Sequence, residues 1–460
     1  MIHALFSFCA KLGLFAISVL LGMAGYLYVK AKGTDTALET SMADVALATT
    51  YREVPFDAKP ALLARVVKPV DVGGDAFGTL YILQKDGKVI RTNPENGAMA
   101  VSTQFAALAT GATDSTLGFS AIAIHPEFLV KDRPGFGKFY VVVAEKAGTA
   151  PVDFRPEFGT KGENHQDVLY EFTSEHPMAG NFRGKRRELM RFSQPGPRNN
   201  VDSLAFDHHG FLYIGVGDGD AADVARKSPS KNASSLKNAY GKVLRINPTG
   251  NNSKNEKYGI PESNPFQIVT EALPELWAFG LRAPHSLYFD PYNTSLCIGE
   301  RAYGGIEKVN LSHMGGEHFG WDITEGGALS SMAARAQLEE IVQPPVFALS
   351  RKSGMIGTNT GNLVYRGENF PSLAGKLIFA SHDGRILVSS PNRAADGERN
   401  TITTQALNLG EFSRKKFSAL RSSPRGELIV LCEDGSVYEM QKQDSIGSER
   451  KRQRALFCQL

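Results

Sequence analysis

The chain has 460 residues, 42% of them apolar and 22% charged, which excludes an intrinsically disordered protein. Basic residues outnumber acidic ones by 51 to 48, and three of the basic ones, Lys11, Lys30 and Lys32, lie in the first 32 residues beside no acid. The remaining body is electrically balanced, which argues against a nucleic-acid binder, because that would need a basic face to neutralise phosphates.

Residues 12–29 form an uncharged run of 18, about 27 Å long as a helix and near the thickness of a bilayer core. An N-terminal signal anchor over residues 1–32 is expected, exporting the body to the periplasmic face of the inner membrane. The alternative is a cleaved secretory peptide with Gly22-Met23-Ala24 as its processing site. Against cleavage, the apolar run continues to Val29. Residues 33–55 read as a linker, 56–442 as the folded body and 443–460 as a basic tail. That tail holds Arg450-Lys451-Arg452-Gln453-Arg454. It reads as solvated, with contact to anionic lipid as the sharper alternative. The four cysteines (Cys9, Cys297, Cys432, Cys458) have no zinc or paired spacing, which speaks against a disulfide framework.

Within the body, short β-rich runs break at Gly, Pro, Asp and Asn, and no long amphipathic helical pattern is present. An alternating apolar run, a polar turn and a second apolar run recur over residues 80–90, 121–143, 203–216, 286–298, 363–388 and 419–438. Six units of about 65 residues suit a six-bladed all-β propeller with long loops on one face. Two stacked sandwiches are the alternative.

Ordered strings sharpen this reading: residues 80–97 (LYILQKDGKVIRTNPENG), 117–128 (LGFSAIAIHPEF), 203–218 (SLAFDHHGFLYIGVGD) and 241–246 (GKVLRI). They continue at 280–284 (GLRAP), 299–310 (GERAYGGIEKVN) and 315–321 (GGEHFGW). The series resembles the glucose/sorbosone dehydrogenase family, which includes soluble enzymes dependent on pyrroloquinoline quinone (PQQ). The resemblance implies a six-bladed propeller, PQQ over the central channel and a calcium ion polarising the quinone. It also implies a histidine base oriented by an Asp, and cations holding the cofactor's carboxylates. A sugar or related alcohol would be the substrate and a respiratory carrier the electron acceptor.

Carried over by position, the base falls on Asn199, an amide that cannot act as one, and its orienting acid on Asp218. The cofactor-holding pair falls on Arg282 and Ala283, a lysine position near His382-Asp383, and an arginine pair on Lys416 and Ser418. The substrate-side polar residue is Thr116. Calcium carbonyl ligands fall at Ala302 and Tyr303, with Glu307 keeping one acid where Ile306 replaces the other. His285, at the expected start of an inner strand, is the candidate replacement base, set against a capping role.

His125, His208 and His209 read as turn residues, and Trp277 and Trp321 as blade core. His165 has no evident partner. Asp218, Asp220 and Asp223 resemble a turn more than a calcium loop. Three functions are open: an exported, membrane-tethered quinoprotein using PQQ and calcium; a non-catalytic propeller binding a carbohydrate or protein through the same face, possible without any cofactor; and calcium-dependent lactone hydrolysis around Asp218, Glu300 and Glu307.

Overall fold

The computed structural model describes residues 51–443, apart from 95–101, 109–116, 160–161, 220–230, 322–341, 352–356 and 392–401. Strands β1 (Arg52–Pro55) and β2 (Ala58–Arg65) precede six successive sheets. The first sheet is β3 (Pro69–Gly74), β4 (Leu80–Gln84), β5 (Lys88–Thr92) and β6 (Thr103–Ala107). The second is β7 (Phe119–Ile124), β8 (Lys138–Lys146), β9 (His165–Ser174) and β10 (Gly184–Gln194). The third is β11 (Val201–Phe206), β12 (Leu212–Val216), β13 (Lys242–Ile246) and β14 (Leu276–Phe279). The fourth is β15 (Pro284–Asp290), β16 (Ser295–Arg301), β17 (Ile306–Ser312) and β18 (Phe347–Ser350). The fifth is β19 (Asn359–Val364), β20 (Leu377–Ser381), β21 (Ile386–Pro391) and β22 (Ile402–Asn408). The sixth is β23 (Phe417–Ser422), β24 (Leu428–Cys432) and β25 (Ser436–Lys442), completed by β2.

The first strands of the six sheets pack side by side in a closed ring. The fold is a six-bladed β-propeller, and ring closure removes the stacked-sandwich alternative. β2 runs antiparallel to β25 from Ala58 opposite Lys442 to Arg65 opposite Ser436, so the two ends of the body share one blade. β1 adds in parallel to β22, which places the last residues of the expected linker in a blade. The expected anchor (1–32) and all of the tail beyond Gln443 lie outside the described residues. No helix among the described residues is long and apolar enough to cross a membrane.

Second strands such as β4, β12 and β24 are buried at every residue because neighbouring blades cover both faces. That is why they read as continuous apolar runs. The repeat of residues 80–90 is the second and third strand of its blade, whereas the other five repeats begin on a first strand. The count of six is right despite this one-strand phase difference. At the turns after β3 and β11, Asp75 and Asp207 each accept two backbone N–H bonds through Oδ1, at 2.9–3.1 Å. This is the local bonding that makes Asp a turn former.

One irregularity repeats in all six blades. Near its start, each innermost strand sets one extra residue against its partner: Val70, Ser120, Asp202, His285, Thr360 and Ser418. Such a bulge twists the strand and re-aims the extra side chain.

Candidate functional site

The axial channel opens at both ends. Where the innermost strands finish, a cavity of about 1050 Å³ has a mixed wall, apolar residues such as Ile122, Leu204 and Leu287 alternating with charged ones such as Asp75, Asp207, Arg366 and Glu427. It contains none of the predicted catalytic, cofactor or metal residues. Where the strands begin, a smaller cavity of about 480 Å³ is lined by all six bulge residues, with Lys85, Arg301, Asn359, His382, Arg421 and Glu433 among its other walls. The smaller cavity holds the chemistry.

Asp202 and His285 come from adjacent blades. Burial in the channel pushes the Asp202 carboxyl above its ordinary range, partly offset by the Arg301 cation. The His285 ring is 6% exposed; its Nδ1 lies 3.3 Å from the Ala283 carbonyl, and its Nε2 has no hydrogen-bond partner. Burial, followed by the Arg301 cation, holds its pKa well below 6.5, so the imidazole is neutral at physiological pH. Arg301 Nε and Asn359 Nδ2 are likewise buried without partners, while Asn359 Oδ1 accepts from Gly361 N at 2.8 Å. Other charges are matched within the wall: Arg421 Nε donates to Asp71 Oδ1 at 2.7 Å, and His382 Nε2 lies 2.8 Å from Glu433 Oε1.

A second group sits between the third and fourth blades. Asn199 adopts φ 56°, a left-handed conformation that Asn tolerates. Against it lies Gly217, where a Cβ would come 2.1 Å from the Asn199 carbonyl, so only glycine fits. This close approach lets Asn199 Nδ2 donate to Asp218 Oδ1 at 2.8 Å, while Trp321 Nε1 donates to Oδ2 at 3.0 Å. The Asp218 N–H donates to the Arg282 carbonyl at 2.8 Å, and the Arg282 N–H to Glu300 Oε1 at 2.7 Å. The Arg282 guanidinium lies 5.5 Å from the Trp321 ring centroid, and its Nη1 donates to the Arg301 carbonyl at 3.2 Å. Asn199, Asp218 and Arg282 thus form one assembly, joined through Arg301 to the cavity.

The remaining predicted residues divide. His285 and His382 line the cavity. Lys416 is exposed and stands outside the wall, its carbonyl accepting from Glu433 N at 2.9 Å. Ala302 is buried, and Tyr303 opens a single 3₁₀ turn with its ring 5.7 Å from that of Trp321. Glu307 is fully buried with Arg351 Nε 3.1 Å away, and burial pushes its pKa up to about 7. Among the described residues no three His, Cys, Asp or Glu side chains converge as a metal cluster, a count that leaves carbonyl ligands aside. Thr116, Asp220 and Asp223 fall outside the described residues.

His125 is buried and structural, accepting from Glu127 N through Nδ1. His165 does have partners, Asn164 Oδ1 at 3.1 Å and Asp167 Oδ1 at 3.2 Å. Trp277 is core, as expected; Trp321 is also buried, yet it supports Asp218 directly. Asp202, Arg301 and Asn359 were not singled out by sequence. An acid interrupting the apolar alternation of residues 201–206 was the available signal for Asp202.

The profile of the family described as Glucose / Sorbosone dehydrogenase matches residues 69–439. The chain belongs to the glucose/sorbosone dehydrogenase family. It is similar to the HIPL1 protein of Arabidopsis thaliana, 27% identical over 68% of this chain and 48% of that protein. It is also similar to aldose sugar dehydrogenase YliI of Escherichia coli, 25% identical over 51% of this chain and 57% of that one. The chain therefore spans about half the length of these relatives. Among solved structures, the PQQ-bound aldose sugar dehydrogenase of Streptomyces coelicolor shares the fold, with a TM-score of 0.54 and 17% identity. That likeness covers 84% of this chain and 99% of the other.

PQQ is the cofactor this family implies, and its three carboxylates call for several cations. Here Arg421 is paired with Asp71 and Lys416 stands away from the wall, and the two cations that form no ion pair among the described residues, Lys85 and Arg301, share the cavity with the acids Asp202 and Glu433, too few for three carboxylates. With an amide bonded to Asp218 as well, the residues present do not fit the group.

Proposed function

We propose that this protein binds a sugar or related polyhydroxy compound at the strand-start mouth of the channel and does not carry out quinone-dependent oxidation. The observation that carries this reading is the Asn199–Asp218 pair, in which an amide N–H donates to the carboxylate at the position where the family resemblance expects an imidazole. An amide offers no nitrogen of useful basicity, and loss of a general base costs about 10²–10⁴ in rate. Family membership supports the ligand class, since a relative is named for its action on aldose sugars. The test is dye-linked aldose oxidation by the purified protein with PQQ and calcium. Background rates are expected for the wild type and for Asn199→His alone, because base and cofactor contacts have changed together. Aldose-dependent dye bleaching by the unmodified protein would overturn the proposal.

A second reading has one observation in its favour. His285 is neutral with an unpartnered Nε2 on the cavity, so it can accept a hydrogen bond from a ligand hydroxyl, the contact a general base would need. In a dehydrogenase of that design, passing electrons to a respiratory acceptor, His285→Gln would abolish the turnover.

Export and tethering belong to the same proposal, supported by the uncharged run of residues 12–29. The full-length protein should stay with membranes through a high-salt wash, and residues 33–460 should be soluble. A mature chain beginning near Gly25 would instead establish cleavage.

A further inference from the structure

The ring of bulge residues is chemically lopsided. Val70, Ser120, Thr360 and Ser418 are small, whereas Asp202 and His285 stand side by side on the third and fourth blades. Four buried polar atoms on residues of the same wall have no partner among the described residues: His285 Nε2, Asn359 Nδ2, Arg301 Nε and Thr360 Oγ1. Leaving a buried polar atom unpaired is costly, so their gathering on one cavity points to a ligand that offers both donors and acceptors. The charges narrow its class. Arg421 is paired with Asp71, and His382 Nε2 lies against Glu433. Among the described residues, Lys85 and Arg301 line the cavity without forming an ion pair, two cations open to a carboxylate, with Asp202 an unpaired acid on the same wall.

We infer that this cavity takes a small hydroxy-carboxylate, a sugar acid of the aldonic type, with its carboxylate on Arg301 and Lys85 and its hydroxyls on His285, Asn359 and Asp202. The inference rests on the polyhydroxy-ligand reading above and adds the carboxylate. The cavity, about 480 Å³, has room for a six-carbon acid. Arg301 supplies the charge-assisted contact, and His285 Nε2 accepts from a hydroxyl without losing charge balance.

Isothermal titration of the full-length protein with gluconate, sorbitol and acetate tests the inference. Gluconate should bind at least about tenfold more tightly than either probe that carries only half of its chemistry. Arg301→Gln should weaken gluconate about tenfold or more while leaving sorbitol within about twofold, and His285→Gln should weaken both. Circular dichroism confirms that each variant is folded. Equal affinity for sorbitol and gluconate would remove the carboxylate inference and leave the polyhydroxy reading standing. Acetate binding as tightly as gluconate would mark a general anion site and overturn the inference. Gluconate binding that neither substitution changes would place the ligand elsewhere and overturn it equally. No binding of any probe would sink both readings together.

Discussion

Asp218 is held by two neutral donors, the Asn199 amide and the Trp321 indole, and by its own backbone bond to Arg282. Trp321→Phe removes one charge-directed hydrogen bond and leaves a small void beneath Arg282. The expected loss is about 2–4 kcal/mol in denaturant unfolding. A loss under about 0.5 kcal/mol would show that the indole contact is incidental. His125 reports on acid sensitivity. Burial lowers its pKa from 6.5 to about 4, so below pH 6.5 the unfolded chain takes up the proton first. The stability present above pH 6.5 is lost as pH falls toward 4, by at most about 3 kcal/mol. His125→Gln should flatten Tm against pH over that interval, and an unchanged slope would assign the acid sensitivity elsewhere. Asn199, Asp218 and Arg282 were legible because their spacing from strand-turn strings is local. For Asp202 the sequence carried only an interrupted alternation, since a bulge moves its side chain out of the two-residue period on which strand reading relies.

Strands show the same contrast. Six apolar-turn-apolar units were visible because second strands are sandwiched between blades and the turns need Gly, Asp or Pro. The closing strand was hidden, because β2 pairs with β25 across almost the whole body and no local pattern announces so distant a partner. Its importance can be measured by truncation. Removing residues 1–32 should leave the thermal transition of the body within a few degrees. Removing residues 1–66 deletes the fourth strand of the sixth blade and exposes the β25 edge, and should give an aggregating chain with no cooperative transition. A cooperative transition in that shorter chain would show that the ring closes without β2.

At the scale of the whole molecule, the two mouths of a scaffold common to the family differ. The larger has a wall of mixed apolar and charged residues, whereas the smaller gathers a bulge residue from every blade and a set of unpaired polar atoms. Of the residues expected there from sequence, His285 lines the smaller cavity and Asp218 and Arg282 adjoin it through Arg301, whereas Lys416, expected among the cofactor contacts, is exposed and stands outside the wall. A one-residue change of register at a strand start is enough to exchange wall for rim, and strings cannot resolve it. The electrically neutral body agrees with a small-molecule ligand rather than a nucleic acid. The most direct measurement is equilibrium titration of the purified protein with PQQ in the presence of calcium, followed by calorimetry. The account predicts no saturable binding up to about 100 μM, a free energy weaker than roughly −5.5 kcal/mol. Stoichiometric binding in the nanomolar range would contradict it and restore the quinoprotein.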